Sequence, residues 1–451
     1  MVQTFYYLPV PFSIKRFNFQ EQTLASTLFP SPRPTAGSLG RGLVGWHASY
    51  FPGSKSVLIE VDMSVPSEKR RFFGRTLRAR FLKRPNRFLI QCIWKGRILS
   101  AFLPNPGRLG ELLLPGRMIH LVREEKSLDR KTLYTAVAVD REGHPIMLHT
   151  HRSNDVARVL LERGEIPGLE EAKIVKSEIR AESSRFDFLL EEKGKEVLLE
   201  VKSCTLVGER IAMFPDAVTE RGARHLRELA KISEAGVRTV ILFIVHWPFA
   251  KAFLPDYHTD LNFSQTLLRV RDRVEVIPVS VRWNQDLSLS PGVQVLRVPW
   301  DTLEREARDR GSYLLILNLK RNRKIGVGKL GKVHFRKGFY VYVGSAMANL
   351  SRRMERHRHL RKQHHWHIDE LREGAEFHAV LAIRSSDRLE CEVAEAMSEI
   401  AEWSVPGFGS TDCSCKTHLF GASSDPIQSE GFQKLLQYFR MDRPISNLPP
   451  V

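Results

Sequence analysis

The chain has 451 residues, 42% of them hydrophobic, enough for about three domains with cores of their own. Lys and Arg outnumber Asp and Glu by 69 to 51, a formal net charge of +18 that points to a polyanion, either nucleic acid or an anionic membrane surface. No apolar run approaches the roughly 18 residues of a spanning helix, and "MVQTFYYLPVPFSIKRF" lacks the pattern of a signal peptide. Five cysteines, an odd number spread thinly, give no disulfide framework. The expectation is a cytoplasmic protein that binds DNA or RNA rather than membrane.

Residues 1–70 include "FPSPRPTAGSLGRG" and hold no sustained period, so this segment is expected to be a disordered extension. Met63 opens "MSVPSEKRRF" just before ordered patterning begins, and residues 1–62 are expected to have no share in function. Between 71 and 150, the runs "RARFLKR", "RFLIQCIW", "RILSAFLP", "RMIHLVRE" and "TLYTAVAVD" are strand-like and separated by turns. Five short strands predict a small barrel of the OB type. "PNPGRLGELLLPG" interrupts them with a turn that presents Arg108.

Residues 151–285 alternate strands with helices. "SNDVARVLLERG" and "TERGARHLRELAKISEAG" are helical, the second with a stripe of Ala223, Leu226, Leu229 and Ala230. Thr219 is a natural N-cap for that helix and Gly236 a natural stop. The strands "SRFDFLLE" and "EVLLEVKSCTL" flank "EEKGKE", a polar hairpin turn centred on Gly194. Alternation places Glu200 and Lys202 on one strand face, and the hairpin brings Asp187 beside them. Two carboxylates and a lysine suit Mg²⁺ with a cation for phosphate or water, while the same spacing also fits a surface hairpin with an ordinary ion pair. Residues 286–310, with "SLSPGVQ", read as a linker, and a third domain spans 311–445. Between Lys320 and His365 stand fourteen Lys or Arg against one acid, Glu355, a density that favours a nucleic-acid surface.

Five ordered blocks between about 75 and 285 resemble the sugar fermentation stimulation protein A (SfsA) family: "LPNPGRLGELL", "SRFDFLLE", "LLEVKSCTL", "FPDAVTERGARHLREL" and "LFIVHW". The resemblance implies an α+β multidomain protein in which an OB-like barrel precedes a PD-(D/E)XK nuclease-like domain. It implies DNA binding, with Asp187 and Glu200 as metal ligands, Lys202 as catalytic partner and Glu178 as a further ligand. Arg221, Arg224 and His225, at the start of a helix, are expected to receive phosphate.

The blocks "GSYLLIL", "FYVYVGSAMANLSRRMERH", "HHWHIDEL", "LECEVAEAM" and "GSTDCSCKTHLF" resemble the Uri-type branch of the GIY-YIG endonucleases. That resemblance implies Tyr313, Tyr342, Arg353 and His357 as catalytic residues. Glu392 is the expected metal ligand, with Glu390 two residues away as the alternative. Arg352 and Arg356 are expected to contact DNA. Ser312 departs from the family's GIY, and "NRKIGVGKLGKVHFRKG" lengthens the link between the tyrosine strands. "CSCKTH" offers Cys413, Cys415 and His418 to zinc together with a remote histidine. C-x-C is not the usual ligand spacing, however, and small buried cysteines are the favoured reading. The function implied is DNA binding with Mg²⁺-dependent phosphodiester hydrolysis. Its rivals are a non-catalytic DNA-binding regulator linked to sugar metabolism and an RNA-processing nuclease.

Overall fold

The computed structural model describes residues 72–125, 132–360 and 363–445; the expected extension at 1–70 and Met63 lie outside them. The first domain comprises β1 (Thr76–Asn86), β2 (Leu89–Trp94), β3 (Arg97–Phe102), β4 (Met118–Arg123), β5 (Tyr134–Arg141) and β6 (His144–Met147). β1 pairs antiparallel with β2 and β4, and a parallel β3–β5 pairing at Ala101↔Tyr134 closes β1-β2-β3-β5-β4 into the expected OB-like barrel. Alternating Ala79, Phe81, Ile90, Cys92, Ile119 and Leu121 fill it. β6, which strand patterning did not reveal, follows a tight turn at Glu142 and Gly143 and extends the sheet.

The second domain runs through α1 (Ser153–Glu162), β7 (Lys173–Ala181), β8 (Ser184–Glu192), β9 (Lys195–Cys204), β10 (Leu206–Val207), β11 (Ile211–Phe214) and α2 (Glu220–Glu234). β12 (Arg238–Val245), β13 (Ala252–Pro255), α3 (Leu261–Val270), β14 (Glu275–Ser280), β15 (Gln294–Val295) and α4 (Trp300–Glu306) complete it. Its main sheet has the order β15-β14-β12-β9-β8-β7, antiparallel across β7-β8-β9 and parallel across β9-β12-β14. β9 and β12 are buried on both faces, which explains their near-continuous apolar runs. α2 lays Ala223, Leu226, Leu229 and Ala230 on one face beside Phe186, Leu198 and Phe243. α1 covers the other with Val156, Ala157 and Leu160. Burying each such Leu or Val fully contributes about 1.5–3 kcal/mol, so the two helices clamp the sheet firmly.

Both helix signals read from the sequence hold. The Thr219 hydroxyl accepts from the Gly222 N–H at 3.0 Å, and Gly236 takes a φ of +90° just past the helix end. The segment 286–310 corrects the expectation of a linker. Leu287, Leu289, Leu296 and Leu303 are buried, β15 joins the sheet, and α4 packs on α3.

The third domain contains β16 (Gly311–Leu319), β17 (Arg323–Val327), β18 (Gly331–Phe335), β19 (Gly338–Ala346), α5 (Leu350–Arg358), α6 (His367–Gly374) and β20 (Glu376–Arg384). α7 (Glu390–Ile400), β21 (Trp403–Ser404), β22 (Leu419–Ala422) and α8 (Glu430–Gln437) follow. The sheet order is β20-β16-β19-β22-β21, with α5 and α6 against one face and α7 and α8 against the other. The long basic link forms its own hairpin, β17-β18, which leaves Arg321, Arg323, Lys324, Lys329 and Lys332 exposed. Glu306 ties the second domain to the third by accepting from the Ser386 N–H at 2.7 Å and hydroxyl at 2.8 Å. Among the described residues, no helix is long and apolar enough to cross a membrane.

Candidate active sites

Lys193 and Gly194, with φ of +52° and +75°, make the tight turn that sets the β8–β9 register, with Phe188 opposite Leu199. That register brings Asp187 level with Glu200. The Asp187 carboxylate accepts from the Val201 N–H and from the Asn154 side-chain amide of α1, each at 2.8 Å. Burial, and then the Glu200 charge, push its pKa above the usual carboxylate range. Glu200 is 3% exposed, and one of its oxygens, Oε1, accepts from the Lys202 ammonium and from His225 Nδ1 at 2.6 Å. Burial opposes its charge, but Lys202 and His225 outweigh that and hold its pKa below the usual value.

The other oxygen, Glu200 Oε2, is buried with no hydrogen-bond partner among the described residues. A buried carboxylate oxygen left unpaired is costly, and this one stands beside a second carboxylate. A divalent cation would satisfy both, so the residues fit a hard oxygen-ligated metal. The predicted trio is therefore brought together. Glu178 is not part of it, since its carboxylate is exposed and pairs with Arg185 at 3.3 Å.

His225 corrects the phosphate-contact expectation. It is 1% exposed, donates through Nδ1 to Glu200, and accepts at Nε2 from Arg221 Nε at 3.1 Å. Its neutral Nδ1–H tautomer is thereby fixed, and it orients Glu200 instead of facing solvent. Arg221 and Arg224 are on the exposed side of α2, as expected. Arg108 is exposed and lines a cleft of about 340 Å³ with Asp216, Arg358 and Arg440. A separate cavity of about 770 Å³, with mixed charges including Glu111, Arg141 and Arg210, holds none of the predicted site residues.

In the third domain, β16 and β19 run antiparallel with Tyr313 opposite Gly344 and Leu315 opposite Tyr342. The two tyrosines therefore share a face, with ring centroids 6.3 Å apart. Gly344 is required here because an added Cβ would stand 2.5 Å from the Tyr313 hydroxyl. That hydroxyl lies 2.9 Å from His357 Nε2, and both side chains are buried. Burial keeps the pKa of both tyrosines above the usual phenol value, with Tyr342 the second cause at Tyr313 and Glu390 the second at Tyr342. Arg353 stacks on Trp366, with its guanidinium carbon 4.0 Å from the ring centroid, and its charge reaches both tyrosines.

Two assignments change. Arg356 engages the fully buried Asp369 with both terminal nitrogens, at 3.1 and 2.9 Å, so it holds α5 to α6 instead of standing free on the surface. Glu392 is exposed and lies 3.9 Å from Arg443, whereas Glu390 bonds Ser345 and His418 and acts electrostatically on both tyrosines. Of the two glutamates, Glu390 is thus the one turned toward the tyrosines. The spacing E-C-E could not separate the two, because the start of α7 determines which carboxylate turns inward. Arg352 is exposed in an open depression lined by Ala348, Asn349 and Arg353. Ser312 is fully buried and its hydroxyl has no partner among the described residues. Cys413 and Cys415 are half-buried, not buried, and gather with Cys391 and His418.

Family models match three consecutive stretches. They are described as SfsA N-terminal OB domain over residues 82–148, Sugar fermentation stimulation protein RE domain over 151–286, and Domain of unknown function DUF123 over 312–441. A sugar fermentation stimulation protein homolog of Methanosphaera stadtmanae is 41% identical over 192 residues, 42% of this chain and 79% of that protein. The homolog of Methanothermobacter thermautotrophicus is 37% identical over 206 residues, 46% of this chain and 85% of that protein. Among solved structures, Pyrococcus furiosus SfsA in complex with Ca²⁺ is 30% identical and covers 50% of this chain and 96% of its own, with a TM-score of 0.46. By the identity and coverage of these relatives, the chain belongs to the sugar fermentation stimulation protein family, extended by a third, GIY-YIG-like domain.

Proposed function

We propose that this protein binds DNA in the cytoplasm and hydrolyses its phosphodiester bonds at the Asp187–Glu200–Lys202 cluster, with Mg²⁺ held by Asp187 and Glu200. The observation that carries the reading is Glu200 Oε2, a buried carboxylate oxygen with no partner among the described residues, next to a second, half-buried carboxylate. When bound, Mg²⁺ supplies Lewis acidity toward phosphoryl oxygen and acidifies its water. The chain's own groups prepare the site. Asn154 and the Val201 N–H aim Asp187, and His225, held by Arg221, aims Glu200. Lys202 remains 17% exposed and can meet a phosphate oxygen or orient water. Arg221 and Arg224 on the same helix, and the exposed basic hairpin of the third domain, offer cations to DNA phosphates.

The third domain supports a second centre of the same chemistry. The Tyr313 hydroxyl stands 2.9 Å from His357 Nε2, so the phenol can hand its proton to the imidazole as it takes one from the attacking water. Arg353 would stabilise phosphate charge, and Glu390, the carboxylate that acts most strongly on both tyrosines, would hold Mg²⁺.

The test is incubation of the full chain with plasmid, single-stranded DNA and structured RNA, in Mg²⁺ or EDTA. Mg²⁺-dependent DNA cleavage lost in Glu200→Gln is the expected result. Cleavage of RNA alone would overturn the DNA assignment, and binding without cleavage by any partner metal would favour a regulator.

A further inference from the structure

Cys391, in the first turn of α7, lies beside the loop that carries Cys413, Cys415 and His418, and one ligand atom from each of the four sits within 4.8 Å of the others. Sequence alone suggested a remote histidine as the fourth member; the fold supplies a third cysteine instead. A tetrahedral zinc with sulfurs at about 2.3 Å needs sulfur–sulfur separations of about 3.8 Å and sulfur–imidazole separations of about 3.6 Å. Cys413 Sγ stands 3.5 Å from His418 Nε2. Closure of the remaining side chains by about 1 Å or less would complete the set.

The histidine is prepared for this role. His418 is 2% exposed, and its Nδ1–H donates to Glu390 Oε1 at 3.1 Å. That bond fixes the tautomer whose Nε2 lone pair faces the three sulfurs. Zinc binds thiolates, so metal binding here releases the thiol protons. Three thiolates and one imidazole are soft and borderline donors with no oxygen among them, which selects zinc over Mg²⁺ or Ca²⁺.

We infer that Cys391, Cys413, Cys415 and His418 bind one structural zinc ion that clasps α7 to the β21–β22 loop. Four protein ligands leave no open position, so the ion is not a catalyst. Its consequence for the neighbouring site is positional. The clasp anchors His418, which holds Glu390, and it fixes the loop whose Gly409 packs on the Tyr342 ring. This inference does not depend on the nuclease reading, because the zinc set shares no ligand with the Asp187–Glu200 cluster.

Metal analysis of the full chain, purified without chelators or a histidine tag from zinc-supplemented culture, tests it. About one zinc per chain is expected, falling to less than about a fifth in Cys413→Ser and Cys415→Ser and unchanged in Glu200→Gln. Replacement of zinc by Co²⁺ in the unmutated protein should give thiolate-to-cobalt charge-transfer bands and intense tetrahedral d–d bands. That measurement decides the matter even where the serine variants do not fold. Zinc below about a fifth per chain without cobalt–thiolate bands overturns the inference. So does a disulfide among the three cysteines in the protein as isolated under reducing conditions, or full zinc content in the Cys413→Ser, Cys415→Ser double variant.

Discussion

Substituting Asp187 with Asn separates a metal ligand from a merely structural carboxylate, because its two costs fall under different conditions. In the native site both carboxylate oxygens accept, one from the Val201 N–H and one from the Asn154 amide. An asparagine keeps the acceptor toward Val201 and turns an NH₂ toward Asn154. Asn154 can answer by flipping its own amide, so the net hydrogen-bond loss stays within about 1 kcal/mol. Against this, the substitution removes a charge that burial and Glu200 both disfavour, as the raised pKa of Asp187 records. The sign follows. A carboxyl with a raised folded-state pKa stabilises the metal-free protein below its unfolded value, and that contribution is lost as pH rises through the folded value. At neutral pH in EDTA, Asp187→Asn should therefore lie within about 1 kcal/mol of the parent, or above it. With Mg²⁺ at 100 times its dissociation constant, the parent gains about 2.7 kcal/mol from binding to the native state alone, and the variant gains close to nothing. Denaturant unfolding of the full chain reports this through Trp247 and Trp283, both buried in the second domain. An equal Mg²⁺ shift in parent and variant would remove Asp187 from the metal site. A loss beyond about 3 kcal/mol in EDTA would assign it a structural role instead.

Three further outcomes follow from the geometry. Arg353→Ala should abolish cleavage by the third-domain centre while weakening DNA binding only modestly, and Lys should rescue poorly because an ammonium lacks the planar fork and the stacking surface for Trp366; single-turnover cleavage measured beside binding affinity checks this. Reversing charge at Arg323, Lys329 and Lys332 on the basic hairpin should make the salt dependence of DNA affinity shallower, by roughly 0.9 in the log–log slope for each phosphate no longer neutralised, and an unchanged slope would exclude the hairpin as a DNA-binding surface. Burial depresses the pKa of His258 to about 3, and the ring accepts from the Arg384 N–H at 2.9 Å and contacts the Arg440 carbonyl at 2.7 Å. Its stabilising contribution is full above about pH 6.5 and fades as pH falls toward 3, costing about 2 kcal/mol between pH 7 and 5. Glu111, raised to about 8 by burial, acts with the opposite sign in that window, so the comparison is between parent and His258→Asn: from pH 7 to 5 the variant's stability should change by about 2 kcal/mol more favourably than the parent's.

How far the sequence could be read depended on whether the deciding physics was local. The barrel strands, α2 and the β8–β9 hairpin announce themselves through alternation, a capping threonine and a Lys-Gly turn, each contained in a few neighbouring residues. The Asp187–Glu200–Lys202 trio was legible for the same reason, since one turn fixes one register. The segment 286–310 was not. "SLSPGVQ" has the composition of a loop, and only the sheet edge at β14 and the face of α3 give its leucines somewhere to go.

The site residues that the sequence misassigned all depend on helix phase or on long-range contact. His225 sits among arginines on a helix, where composition suggests a phosphate-facing cation, yet it follows Leu226 and Ala223 toward the sheet and meets Glu200 from 25 residues away. A histidine adjacent to the apolar stripe of an amphipathic helix was the available signal, because that stripe points at the strand carrying Glu200. Glu392 failed through helix phase: it stands two residues from Glu390, about 200° around the helix, so the two carboxylates face different surroundings. Arg356 shares a face with Arg353, and both stack on Trp366, but it is claimed by Asp369 from the separate helix α6, 13 residues away. Cys391 shows the stronger form of the limit. No ligand-spacing rule spans the 22 residues from Cys391 to Cys413, but the pairing of β22 with β19 and the packing of α7 on β19 bring the two together. Motif spacing thus identifies the ligands that share a strand or a loop. Where a site is closed by a residue on a separate helix, its identity follows from the sheet that both elements pack against.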